Sequence, residues 1–294
     1  MILYLNNHSL WNVIGLSAPE GEILSSWDLK KQQVKRRTKD EIFTPIQKAE
    51  RRKGLKIGIY GKEKCGKTRF LYTCPEPVYI IGTEFGTIQL AHEFPNKEVY
   101  LTEVMEIDIE KDEPLPIESL DALEEAVFSL KDVTRGTICI DSGSDFWSWV
   151  SSWNYKENEM KLKKGKFMQF DWEGANERYL KNMMVLVARP THFVITGQAQ
   201  GIWVGGQQQA GYDGRWQRTT VNKVDIIMDV SKNTDKEGIT TWEANIESCR
   251  FAGVKPFVLK NDEIDFQHLV STLHQKFKVP LRIMGVTEED GVYK

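Results

Sequence analysis

The feature that most narrows what this chain can become is eight residues long. Gly61-Lys62-Glu63-Lys64-Cys65-Gly66-Lys67-Thr68 is a full G-x-x-x-x-G-K-T. An apolar run, Leu55–Tyr60, precedes it, and a stretch of helical spacing, Lys67–Tyr72, follows. A strand, a glycine-rich turn and a helix in that order aim successive backbone N–H groups at anionic oxygens. The positive end of the helix adds to the attraction. The reading is a polyphosphate cradle from Gly61 to Arg69, with Lys67 reaching the outer phosphates and the Thr68 hydroxyl holding Mg²⁺. ATP and Mg²⁺ are the expected ligands.

From residue 55 onward short apolar runs alternate with helical stretches. Val78–Gly82, Val99–Val104, Thr137–Asp141, His192–Thr196 and Val224–Val230 read as strands, most of them buried on both faces. Ile117–Leu130, Asp145–Met160 and Trp172–Val187 carry helical spacing. This predicts an α/β fold, a mainly parallel sheet flanked by helices. Strands at 239–248 and 256–260 and a helix at 264–277 are read as an antiparallel edge and closing helix toward the C-terminal end. On the stretch Asp145–Met160, Trp147 and Trp153 are expected nearer the core than Trp149. The domain reading is an N-terminal extension with a basic arm (1–54), an ATPase core (55–279) and a peripheral tail (280–294).

Asp141 ends a buried strand, Thr137-Ile138-Cys139-Ile140-Asp141, at the strand-end crevice where open α/β sheets bind ligands. It is the expected second metal-side residue, beside Thr68. Glu84, directly past Val78–Gly82, is the candidate for handling the attacking water.

Composition excludes several classes. No apolar run exceeds Met183–Ala188, far short of the roughly 18 residues a membrane span needs, so no membrane partner is expected. The start of the chain lacks the basic lead-in of a signal peptide. The four cysteines form no CxxC and have no histidine at metal spacing, which fits a reducing compartment, the cytoplasm. Net charge of −3 rules out an overall basic coat, yet residues 30–53 carry ten Lys/Arg against three acids. Asn222-Lys223-Val224-Asp225 spells NKxD, but it precedes a strand instead of ending one, so it does not mark a guanine site.

Taken together, GKEKCGKT, TEFG, ICIDS, VITGQAQ and NIESCRF resemble the RecA-like P-loop NTPases. More narrowly they resemble the phage and archaeal-virus Sak-type single-strand annealing and recombination ATPases. That resemblance implies Glu84 as the residue activating water and Gln198, with Gln200 as a rival, as a γ-phosphate sensor. It implies single-stranded DNA as partner, held by the loop Gly201–Asn222 through Trp203, Arg215, Trp216 and Arg218, and by a second loop through Lys163 and Lys164. The KaiC and replicative-helicase branch often carries Lys-x-Arg on the late strand, reaching a neighbouring subunit's nucleotide. Here Ser248 replaces that lysine and only Arg250 carries over, implying a homo-oligomer, ring or filament. A viral source would put the protein in the host cytoplasm. The alternative is a nucleotide-gated assembly or loader protein whose partner is another protein.

Overall fold

Residues apolar on both alternating faces can only be the interior of a covered sheet, and the runs named above become one. The computed structural model describes residues 54–204 and 207–294, with side chains described outside 203–210. The basic arm therefore lies outside the described residues. Along the chain come β1 (Lys56–Gly61), α1 (Lys67–Tyr72), β2 (Val78–Gly82), β3 (Val99–Glu103), the short pair β4 (Ile107–Asp108) and β5 (Glu113–Pro114), and α2 (Pro116–Ser129). Next are β6 (Thr137–Asp141), α3 (Gly143–Glu157), α4 (Glu159–Lys163), α5 (Glu173–Val187), β7 (His192–Val204) and β8 (Gln207–Gly214). The chain closes with β9 (Ile226–Thr234), β10 (Thr240–Cys249), β11 (Phe257–Lys260), α6 (Phe266–Ser271), α7 (Leu281–Met284), β12 (Glu288–Glu289) and β13 (Val292–Tyr293).

The sheet runs β11-β10-β9-β1-β7-β6-β2-β3, with β8 paired to β7. Neighbours from β9 through β3 are parallel, whereas β10, β11 and β8 pair antiparallel. Alternation along each strand splits the core into two layers. Ile57, Ile59, Cys139, Val194 and Met228 pack toward Phe70 and Leu71 of α1 and Phe266 and Leu269 of α6. Tyr60, Ile138, Ile140, Phe193 and Ile195 pack on the other face against α2, α3 and α5. Each such side chain contributes about 1.5–3 kcal/mol on burial, so both helix layers are held by the sheet. No described helix is long and apolar enough to cross a membrane.

Four expectations change. The strand at 192–196 continues to Val204, and much of the stretch read as a loop pairs back on it as β8, Ala199 opposite Gly214 and Val204 opposite Gln207. Its Gly and Gln content disguised a ladder of backbone hydrogen bonds. The helix at 145–160 breaks at Asn158 into α3 and α4. Trp149 is the buried tryptophan of α3, since Phe146, Trp149 and Val150 form its sheet-facing stripe, while Trp147 and Trp153 are partly buried. Finally, residues 280–294 are no loose tail. Met284, Val286 and Tyr293 are core residues, and the Gln267 amide brackets the Tyr293 backbone, with both bonds 2.7 Å.

Candidate functional site

The turn between β1 and α1 is built around two glycines. A Cβ on Gly61 would stand 2.1 Å from the Val230 carbonyl oxygen and 2.8 Å from Cys65 Sγ. Gly66 sits at φ +98°, a left-handed conformation that favours glycine. α1 starts at the next residue. The first N–H groups of a helix have no intrahelical carbonyl partner, so the start of α1 offers donors to an anion. Lys67 Nζ donates to the carbonyls of Gly61 (2.9 Å) and Lys62 (2.7 Å), so its ammonium already lies within the loop. Burial pushes the Cys65 thiol up, which makes it a packing residue with little nucleophilic character. Arg69 lines the cleft while its Nε pairs with Glu93 at 3.1 Å.

Asp141 meets the loop from the tip of β6. Thr68 Oγ1 donates to its Oδ2 at 2.8 Å, Thr87 Oγ1 to the same oxygen at 3.3 Å, and Thr196 Oγ1 to Oδ1 at 2.5 Å. A hydroxyl and a carboxylate in contact are hard oxygen donors. They suit Mg²⁺, which takes one or two protein carboxylates and completes its shell with phosphate and water. Among the described residues no group of three or more His, Cys, Asp or Glu gathers as a metal cage.

The tips of β2 and β6 are tied together. Thr83 N donates to the Asp141 carbonyl (2.6 Å), Thr83 Oγ1 to Asp145 Oδ2 (2.8 Å), and Ser142 N to Thr83 Oγ1 (2.6 Å). This clamp presents Glu84 on the same cleft. The Gln198 amide donates to Glu84 Oε1 at 3.4 Å, and Gln198 N is held by Ser144 Oγ at 2.8 Å. Glu84 is accessible at its tip yet crowded by the cleft walls. That desolvation, then the Asp145 and Asp141 charges, raises its carboxyl above the ordinary range against the pull of Gln198 and Lys67.

The cleft measures about 980 Å³ and gathers residues 63–69 with Glu84, Asp141 and Gln198. Other predicted residues stand elsewhere. Trp216 is only 5% exposed, wedged in the core, and is unavailable to stack a base. Arg215 and Arg218 are exposed, but Trp203 sits on β7 where its side chain is outside the described residues. Lys163 and Lys164 are exposed beyond α3, a 15-residue helix that spans about 22 Å from the strand tips. Arg250 follows β10 at the opposite end of the sheet from Gly61. It bonds the Asn222 carbonyl (2.8 Å) and pairs with Asp225 (3.5 Å), so it takes no part in its own subunit's cleft.

Thr83 and Thr196, buried behind the cleft, lie within the TEFG and VITGQAQ stretches but were not singled out. Several lining residues carried no motif. Thr240, Trp242, Asn261, Asp262 and Ile264 form a second wall. They come from β10 and the segment after β11, and only the antiparallel return of the chain brings them to the loop.

A family model described as an AAA domain matches residues 53–253. Among solved structures, an ATPase from the type III secretion system of pathogenic bacteria is similar at 13% identity and a TM-score of 0.36. The match covers 60% of this chain and 52% of that one, so the chain spans about half the length of that ATPase. No curated protein matches.

Proposed function

The chain belongs to the AAA domain family of P-loop NTPases, and on that premise we propose that it is a magnesium-dependent ATPase. We further propose that it acts on single-stranded DNA in recombination, annealing or replication as a homo-oligomer, as a Sak-type ATPase would. The observation that carries the hydrolytic reading is the convergence of the Gly61–Thr68 loop, Asp141, Glu84 and Gln198 on one cleft. Bound Mg-ATP would supply the phosphoryl group and the metal charge that polarises it. On this reading the chain's own residues divide the tasks. Lys67 and the loop amides would hold the phosphate tail, while Thr68 and Asp141 would hold the ion. Glu84 orients and deprotonates water, and Gln198 reports the site's state to the β7–β8 hairpin that begins at its own strand.

Glu84 serves this role only when ionised, so turnover falls as pH drops through its raised value. Replacing Asp145 by Asn removes a negative charge that raises that value. The acid limb of the pH–rate profile is therefore expected to move toward lower pH in Asp145→Asn, and to vanish with most activity in Glu84→Gln. A limb that stays put in Asp145→Asn, or moves up, removes Glu84 from the role. The stability linkage has the matching sign. A raised carboxyl favours the folded state below its unfolded value and ceases to do so as pH rises through the folded one.

Exposed Arg215 and Arg218 at the base of the hairpin support the DNA reading, since arginines neutralise phosphates. Phe85 and Ile88, 57% and 62% exposed beside Glu84, favour the second reading, a nucleotide-gated assembly factor with a protein partner. Phosphate release measured with and without single-stranded DNA across a salt series separates the two. Stimulation that fades steeply with salt is the expected result. Indifference to DNA, with oligomers forming on ATP addition, would transfer the assignment to the assembly factor.

A further inference from the structure

The cleft is larger than a triphosphate needs, and its far wall is of different chemistry from its near one. β9 runs past Val230, the partner of Gly61, to Thr234, and β10 returns from Thr240, so this hairpin rises beside the phosphate loop. Side chains on β10 alternate. Ile246 and Ala244 are buried in the core, and Trp242 is the next on that face, level with the start of α1. Trp242 Cδ1 lies 3.9 Å from where a Gly66 Cβ would stand. Two contacts fix the residue. Asn261 Oδ1 accepts the Trp242 backbone N–H at 3.0 Å, and Lys232, its cross-strand partner, holds its ammonium 5.5 Å from the indole centroid. Leu90 and Ile264 add apolar lining, and Asp262 joins the rim.

We infer that Trp242 is the platform on which the purine base of the nucleotide stacks, with Asn261 and Asp262 reading its edge. The inference rests on the nucleotide reading above. The Asn261 oxygen is already engaged by Trp242, which leaves its amide nitrogen as a donor beside the Asp262 carboxylate as an acceptor. A purine edge offers the complementary pair, an acceptor next to a donor.

The test compares two probes in equilibrium binding with Mg²⁺: ATP, which has a base, and inorganic tripolyphosphate, which has none. In Trp242→Ala, ATP is expected to bind about tenfold more weakly, the lower range for loss of one base–aromatic stack. Tripolyphosphate is expected to bind as to the wild type. Trp242→Phe, which keeps a ring, is expected to restore most of the ATP affinity. Equal weakening of both probes in Trp242→Ala, or of neither, would overturn the platform. If tripolyphosphate fails to bind the wild-type protein, the phosphate-loop reading falls first, so the two failures are distinct.

Discussion

Lys67→Ala is expected to lose ATP hydrolysis by about a hundredfold or more while keeping its fold. The size follows from the role: a preorganised cation aimed at developing phosphate charge contributes on the order of 10²–10³ in rate when removed. The sparing of the fold follows from the structure. The ammonium's partners are the carbonyls of Gly61 and Lys62, at the mouth of the cleft, where water can replace it. The loop itself is shaped by elements that do not involve the lysine, namely Gly61 against Val230 and Gly66 in its left-handed conformation. A change in unfolding free energy of about 1 kcal/mol or less is expected in a urea melt. Phosphate release near the wild-type rate would end the hydrolytic reading.

How legible was this in the sequence? Elements dominated by one local signal were read almost to the residue. β2 and β6 are apolar runs bounded by polar ones, and α1 starts where its glycines end. The meeting of Thr68 with Asp141 was also legible, since Asp141 ends a strand of the parallel sheet and Thr68 opens the helix that follows another. Contacts that depend on antiparallel returns were not. β8 looks like loop because Gln207–Gly214 lacks β-branched residues, and its pairing with β7 is supplied by backbone geometry alone. Trp242 belongs to no motif, and only the β9–β10 register lifts it over Gly66. Residues 280–294 carry their apolar side chains at irregular spacing, which hides their packing on α6 from any periodicity argument. Trp216 was misplaced for a related reason. A tryptophan among glycines and arginines reads as a surface aromatic, while in the fold the glycines are what make room for it.

That last point yields the second large effect. Trp216→Ala is expected to destabilise the protein by about 3–5 kcal/mol, the range for removing a large buried aromatic. The ring lies where Cβ atoms on three glycines would be. One on Gly214 would stand 2.4 Å from Trp216 Cε2, one on Gly197 2.7 Å from Cε3, and one on Gly58 3.1 Å from Cη2. Tyr60 meets it edge-on, 6.1 Å between centroids. It thereby packs the base of the β7–β8 hairpin onto β1, the strand that leads into the phosphate loop. Among the described residues the indole Nε1 has no hydrogen-bond partner, so the loss is assigned to the cavity. Three backbone segments meeting at hydrogen-only positions cannot close over the gap without shifting the sheet, which argues for the upper part of the range. A denaturant melt reads the effect directly, and Trp216→Phe, which refills part of the space, should recover a portion of it. A surface base-stacking tryptophan would behave in the opposite way, leaving the melt unchanged and lowering single-stranded DNA affinity. Wild-type stability in Trp216→Ala would therefore return this residue to the DNA-contacting set and detach the hairpin from the core.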